Sequence, residues 1–391
     1  MTSATHEATD RAHAELEHRR AEQPTLRDML LLAVPTGVRI SPESTRVAFT
    51  IQAANWNDNR YETVCYVHDV QTGETHQLTR TGNVSQMAWM DEETLALLKT
   101  GSGGNEGQIW LYEGLVGEGW QVTDHKTGVD WFAPFADGLL FRATRPDRKK
   151  RKERTDRFGT FTHVEQEESA SAIYYTELAA LRDYESRVKA STEDEAKKLV
   201  QPVVEISRLL GRPLAIREVV PAPQNDAIYV TCWPHDDLVY YRDTSTYRIV
   251  LDASSALTEY VRRKRAEKEA DEDKDNGSEQ RATSDEGTSE EDVSGEGASG
   301  EGASGEGASK DDVSYLGEIT QLNLPRASEV IEVSPDGTHL LIAYQGRDAK
   351  MYTRQDLWVI DLDAALRAPD PKPFVQAMHN VTASIDRQVL D

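Results

Sequence analysis

An all-β fold built from repeated four-stranded blades, a β-propeller, is predicted by three features of this 391-residue sequence. A turn frame recurs: one residue closes a strand, a polar turn often containing Pro follows, and an apolar residue comes seven positions later. The copies are Ile40 to Val47, Ala88 to Leu95, Phe132 to Leu139, Pro221 to Ile228 and Val333 to Leu340, four of them with Pro at the third place (Pro42, Pro134, Pro223 and Pro335). Their first two spacings, 48 and 44 residues, match the roughly 40 to 50 residues that one blade needs. Between frames, strand-like segments recur in fixed order, which a two-sheet sandwich would not repeat at this period.

Taken along the chain, residues 1–32 come first as a helical segment, with a leading helix expected over 7–22 and a short turn after Pro24 whose Met29, Leu30, Leu31 and Leu32 are able to dock it. Blades are expected over 33–380. Their third strands read TVCYVHDV, QIWLYEG, AIYYTEL, STYRIVLD and DLWVIDLD, alternating and rich in β-branched and aromatic residues. Fourth strands read HQLT, WQVT and GEIT, a polar-apolar-Thr ending. The later frame spacings, 89 and 112 residues, are too long for single blades. The first excess is assigned to a basic loop, RPDRKKRKER, and a helical insertion over about 177–211, where apolar residues recur at three and four. The second is assigned to a tract over about 265–312, with SGEGA three times from Ser294 to Ala308, almost nothing to bury, and disorder expected. Residues 381–391 are expected to start a truncated sixth blade.

Lys and Arg total 44 against 68 Asp and Glu, a formal charge of -24, which argues against nucleic acid or an anionic membrane as a partner. Much of that charge is local: Glu267 to Asp312 holds 17 acidic and 4 basic residues. The first twenty residues have no apolar h-region, and no run approaches the ~18 apolar residues of a membrane span, so a cytoplasmic protein is expected. Cys65 and Cys232 sit in apolar strand-like runs without zinc-site spacing and read as plain buried thiols.

Two stretches outside the generic repeat resemble a known family. VRISPESTRVAFTIQAANWNDNRYETVCYVHDVQTGETHQLT and RKKRKERTDRFGTFTHVEQEE look like the propeller of bacterial prolyl-oligopeptidase-type (family S9) serine peptidases, among them acylaminoacyl-peptidases and dipeptidyl aminopeptidases. Asn59-Arg60-Tyr61 and Arg157 to Gly159 are the more specific marks; Ser-Pro-Asp-Gly also fits TolB-like propellers. The resemblance implies a propeller that caps an α/β-hydrolase domain and admits short peptides. In that family the hydrolase domain follows the propeller, and this chain reaches Asp391 without one.

The chemistry of such a peptidase needs a G-x-S-x-G elbow followed by Asp and His. The nearest matches, Gly297 to Glu301 and Gly302 to Glu306, lack the closing Gly, so no catalytic residue is assigned. Gly101 to Asn105 resembles a phosphate loop but lacks the following Lys-Ser/Thr and reads as a hairpin loop. Some relatives hold a substrate amino terminus with propeller glutamates, which makes Glu165, Glu167 and Glu168 the substrate-binding candidates, with strand-edge solvation as the plainer reading. His235, Asp236 and Asp237 alternate faces on an extended chain and read as a polar turn rather than a metal site. The basic loop from Arg145 to Arg154 could meet an acidic partner, the chain's own tract included, or be a solvated insertion. No cofactor or metal is called for. The expected function is the noncatalytic, substrate-gating part of an S9-type peptidase, with short peptides and the absent hydrolase domain as partners. The alternative is a free-standing TolB-like or WD-like propeller serving as an interaction scaffold.

Overall fold

Every hairpin of the fold follows the chain in order. The computed structural model describes residues 25–80, 83–100, 106–145, 157, 171–212, 214–235, 240, 242–282, 313–345, 355–367 and 378–384. After a short helix α1 (Leu26–Leu30), twenty strands form five four-stranded antiparallel sheets, each joined only to its sequence neighbours. Blade 1 holds β1 (Val34–Ile40), β2 (Arg46–Asn55), β3 (Arg60–Asp69) and β4 (Thr75–Gln77); blade 2 holds β5 (Val84–Trp89), β6 (Thr94–Thr100), β7 (Gly107–Glu113) and β8 (Trp120–Gln121). Blade 3 holds β9 (Trp131–Phe135), β10 (Gly138–Thr144), β11 (Ser171–Glu177) and β12 (Val203–Glu205); blade 4 holds β13 (Ala215–Pro221), β14 (Ala227–Trp233), β15 (Ser245–Val250) and β16 (Glu318–Gln321). Blade 5 holds β17 (Ser328–Val333), β18 (His339–Tyr344), β19 (Asp356–Asp361) and β20 (Met378–Asn380). The chain divides into two compact units, Met1–Asp124 with blades 1 and 2, and His125–Asp391 with blades 3 to 5.

The turn frame is the hairpin between first and second strands. Its two ends pair directly in three blades, Ile40 with Val47, Pro221 with Ile228 and Val333 with Leu340. In the fifth copy Asp336 Oδ1 accepts from Ser334 Oγ at 2.6 Å and from the Thr338 amide at 3.1 Å, while Gly337 takes φ 72°. That Ser334 bond, together with the Thr338 amide, lowers the Asp336 carboxyl to about 2. The turn is further held by Gln224 of blade 4, whose Nε2 donates to the Pro335 carbonyl at 2.9 Å.

Two frames depart from the expectation. In blade 2 it is Trp89, not Ala88, that pairs with Leu95. In blade 3 Pro134 lies inside β9, paired with Leu139, and the turn is Ala136-Asp137 with Ala136 at φ 47°. β9 is an edge strand, where a missing N–H is tolerated. A tight approach fixes the register: a Cβ on Gly138 would stand 2.0 Å from the Thr176 carbonyl oxygen.

The fourth strands correct three further expectations. An aromatic or acidic-paired position on each third strand faces a polar residue on the fourth: Tyr66 with Gln77, Trp110 with Gln121, Tyr174 with Glu205, Tyr247 with Gln321 and Trp358 with Asn380. Blade 4 holds the expected Glu-Ile-Thr in its fourth strand, β16, but runs on to end in Gln321-Leu322-Asn323, three residues past the expected ending. Blade 3 ends in Glu205-Ile206-Ser207, inside the stretch assigned to a helical insertion. Blade 5 ends in Asn380-Val381-Thr382, since the Val381 amide donates to the Leu357 carbonyl at 2.9 Å; these residues complete blade 5, and 385–391 lie outside the described residues.

The basic loop falls between the second and third strands of blade 3, whereas three further insertions lie between third and fourth strands. Blade 3 carries α2 (Leu178–Ala190) and α3 (Glu193–Lys198) there, blade 4 carries α4 (Ala253–Ala282), and blade 5 carries α5 (Leu362–Leu366). Thr192 and Glu195 form a reciprocal capping box at the start of α3. α4 runs to Ala282, so the first part of the tract expected to be disordered is helical, and 283–312 lie outside the described residues. The leading helix over 7–22 also lies outside them. Met29, Leu30, Leu31 and Leu32 are exposed rather than docked, because α1 is too short to turn an apolar face onto a sheet.

Candidate functional site

In four of the five blades the first strand is where the sheet geometry departs from regularity. A bulge interrupts the register at Pro35/Gly37 in β1, Val84/Gln86 in β5, Ile216/Glu218 in β13 and Val330/Glu332 in β17. The residues at the bulges are Thr36, Ser85, Arg217 and Ile331. Bulges twist a strand and re-aim side chains. In the second unit Arg142, ion-paired with Asp130 at 2.7 Å, donates to the Ile216 carbonyl of the β13 bulge at 3.3 Å, and the Arg217 guanidinium lies 4.3 Å from the Trp233 ring centroid.

In the first unit the bulges of β1 and β5 border a hollow of about 530 Å³. Its wall is neutral and hydrogen-bonding: Thr36, Thr50, Gln52, Thr63, Asn83 and Ser85, with Arg39 as the charged member. Thr36 and Thr50 hydroxyls meet at 3.0 Å, Gln52 Nε2 donates to Thr63 Oγ1 at 3.4 Å, and Asn83 Oδ1 accepts the Thr63 amide at 3.0 Å. Gly37 lies at the floor, where a Cβ would come 3.2 Å from both Met87 Cε and Thr50 Oγ1, a tight contact with two side-chain ends. The Arg39 guanidinium is exposed and donates to its neighbour's carbonyl, Val38, at 2.9 Å. An arginine with that one partner among the described residues keeps most of its five donors for a carboxylate. Lys99, backbone-paired with Val84, is buried with its Nζ 4.3 Å from the Trp110 ring, and burial lowers its ammonium below the usual lysine range.

Beside this hollow stands the hairpin tip carrying Asn59-Arg60-Tyr61. Asn59 adopts φ 48°, Arg60 pairs with Glu62 at 2.8 Å, and Tyr61, which also lines the hollow, is exposed. A smaller hollow of about 310 Å³ lies between this tip, Trp56 and Leu30 of α1. The asparagine tolerates the left-handed turn, and the turn presents the tyrosine.

Glu165, Glu167 and Glu168 lie outside the described residues, as do Asp236, Asp237, Gly101 to Asn105, both elbow look-alikes and the basic loop beyond Arg145. Arg145 itself is tied to Glu205, Nε to Oε1 at 2.9 Å. His235 packs against Tyr240, ring centroids 5.2 Å apart. Cys65 and Cys232 are free and fully buried, and burial pushes each thiol up to about 12. Among the described residues no three His, Cys, Asp or Glu side chains group as a metal site, and no helix is long and apolar enough to cross a membrane. Arg39 and Asn83 were not singled out from the sequence. Their signal is the bulge, which leaves no mark in residue spacing.

The sheets define this chain as an all-β protein made of β-propeller blades. No family model and no curated protein matches the sequence. The solved structures it resembles include Pyrococcus horikoshii acylaminoacyl peptidase, at 13% identity over 93% of this chain and 41% of that one, TM-score 0.46. The β-propeller domain of the trilobed protease from Pyrococcus furiosus matches at 11% identity over 92% of this chain and 73% of that one, TM-score 0.44. Porphyromonas gingivalis dipeptidyl peptidase 4 matches at 10% identity over 88% and 38%, TM-score 0.43. The chain spans about two fifths of the length of the acylaminoacyl peptidase it matches.

Proposed function

We propose that these blades are the substrate-gating portion of an S9-type serine peptidase, noncatalytic in themselves, with the acyl-transfer chemistry in an α/β-hydrolase domain. The observation that supports this reading is the hollow over the β1 and β5 bulges. Its hydroxyls and amides suit the N–H and C=O groups of a short peptide, and Arg39 suits a peptide carboxylate. Among the described residues that line it none is a histidine or a carboxylate, which suits holding and orienting a peptide without transferring a proton.

The test is calorimetric titration of the full chain with tri- and tetrapeptides, carrying a free or an amidated C-terminus, alongside an assay on acyl-amino-acid and dipeptidyl chromogenic substrates. Binding of the free-acid peptide, weakened about tenfold by Arg39→Ala or by amidation, is expected, with no turnover. Equal affinity for acid and amide would remove Arg39 from the reading. Turnover abolished by a serine-directed inhibitor would overturn the noncatalytic assignment.

A further inference from the structure

Both faces of blade 1 are apolar, and the two differ in what covers them. Toward blade 2, Ala48, Cys65 and Val67 are fully buried in one cluster with Leu95 and Leu97. The alternate residues of the same strands point the other way. Across that second face Val38, Phe49 and Tyr66 stand in one row, with Ile51 and Val64 on one side and Ile40 and Val47 on the other. Val38 and Ile40 are 53% and 62% exposed, and Phe49, Ile51, Val64 and Tyr66 are only half-buried. The Phe49 and Tyr66 rings stack at the centre, centroids 5.5 Å apart and 14° from parallel. A continuous apolar patch of this kind marks an interaction surface, which single exposed residues do not.

The chemistry of the face names its occupant. Where the described residues cover a blade face, the cover is another sheet: blades 1 and 2, 3 and 4, and 4 and 5 each share an apolar cluster. The rows of the open face are completed by Pro35, His68, Thr75 and Gln77, so no carboxylate, lysine or arginine stands in them. Copies of a chain with net charge -24 repel one another, and a face without charges is where two can meet without opposing like charges. The size also fits. β2 and β3 are ten residues each, about 34 Å at ~3.4 Å per residue, and four strands are about 19 Å wide. With β1 and β4 shorter, the face is roughly 500 Å² in projection before side-chain relief adds to it, on the scale of the ~800 Å² that each partner buries in a standard interface.

We propose that this face of blade 1 is a two-fold interface, covered by the same face of a second copy of the chain. The Phe49 and Tyr66 rings of the two copies lie near the axis, and the sheets pack about 10 Å apart, as in a sandwich. Being isologous, the contact closes at the dimer and leaves no apolar surface there for a third copy. Peptide binding is separate from it, since the hollow over the β1 and β5 bulges lies on the blade 2 side of the same sheet.

The experiment is sedimentation velocity of the full chain from about 1 to 100 μM, a range that brackets micromolar self-association. A dimer that dissociates on dilution and grows no further is expected. Val38→Lys combined with Ile40→Lys, both at exposed positions, should raise the dimer dissociation constant at least about tenfold, since each copy then brings two ammonium groups into an apolar contact. Val116→Lys, at an apolar residue of blade 2 that is 72% exposed and lies outside the face, should leave it unchanged. A second measurement uses thiol chemistry: Cys65 and Cys232 are buried, so Val38→Cys supplies the reactive thiol. A short bismaleimide should join two copies through Val38→Cys and not through Val116→Cys. A monomer at every concentration, a dimer indifferent to the paired Lys substitutions, or association that continues past the dimer would each overturn the proposal. So would a monomer whose Val38→Cys thiol reacts slowly, which would mean that the chain's own residues cover the face.

Discussion

The Thr123 hydroxyl accepts the backbone N–H of Ile109 at 2.9 Å, standing in for the carbonyl that a longer fourth strand would supply. The same substitution of side chain for ladder recurs between Thr79 and Cys65 at 2.9 Å, Ser207 and Ile173 at 3.1 Å, and Thr382 and Leu357 at 2.9 Å. A fourth strand of only two to four residues can then leave its sheet without abandoning a donor on the third strand. Where that donor is buried, as at Ile109 and Cys65, it would otherwise be unsatisfied.

Replacing Thr123 with Val keeps the shape and removes the acceptor. The buried Ile109 amide then loses its partner, and so does Gln108 Oε1, which accepts from the same hydroxyl at 2.8 Å. The expected loss is ~1 to 3 kcal/mol of unfolding free energy in urea, while Thr123→Ser should stay close to the parent. Equal stability of the Val variant would mean that the hydroxyl is ornamental.

Two glycines separate steric need from backbone need. Gly138 has no left-handed φ, yet its added Cβ would collide with Thr176 and Glu177 backbone atoms, so Gly138→Ala should cost ~3 kcal/mol and disturb the β9–β10 hairpin. Gly73, at φ 74° with open space around it, should lose only ~1 to 2 kcal/mol on the same change, from conformation alone. Thermal or urea midpoints of the two variants rank them directly; the reverse order would refute the close contact.

Blade count and strand order were legible because alternation, Pro-containing turns and a steady period all reported on the same hairpins. Legibility failed where one cue served two structures. Ala-Pro in blade 3 is chemically the turn signal of blade 4, but the shorter Ala136-Asp137 turn moves Pro134 into an edge strand. Glu-Ile-Thr imitates the Q-x-T ending, and only pairing of Tyr247 with Gln321 shifts the register by three. Ser207 was hidden because a three-residue strand after two helices leaves no period to detect. The hollow around Arg39 was invisible for a related reason: it depends on bulges, each one extra residue, which alternation patterns absorb without trace.

Glu92 clasps the turn of the neighbouring blade. Its carboxylate accepts from Ser41 Oγ at 2.7 Å, from the Glu43 amide at 2.9 Å and from the Thr45 hydroxyl. The Thr45 bond is the largest of the influences that lower its pKa below 4.5. A carboxyl depressed in the folded state stabilises above its unfolded pKa, and that stability is lost as pH falls through the folded value. Acid titration followed by circular dichroism should therefore show Glu92→Gln with a shallower stability decline below pH 4.5 than the parent. Parallel acid curves would show that the clasp contributes nothing.

At the opposite extreme of pH the two buried thiols set the response. Cys65 and Cys232 move from 9.0 to about 12 on folding, in each case chiefly through loss of hydration. Between those values the unfolded chain has released a proton that the folded chain retains, so stability falls with rising pH, by ~1.4 kcal/mol per pH unit for each thiol once the unfolded form is ionised. Tyr112, Tyr174 and Tyr175, raised from 10.0 to about 12 by burial, add their own losses only above pH 10. From pH 9 to 10 the tyrosines are quiet and Lys99, lowered by burial, acts alike with or without the cysteines, so the difference in slope between parent and cysteine-free variant reports the thiols. Unfolding free energies measured by urea across that interval should decline more steeply in the parent than in a Cys65→Ala, Cys232→Ala variant, whose overall stability is lower but whose slope is the quantity compared. A parent that declines no faster than the double variant would show that at least one thiol reaches solvent, a result that rapid thiol labelling of the folded chain would reproduce independently.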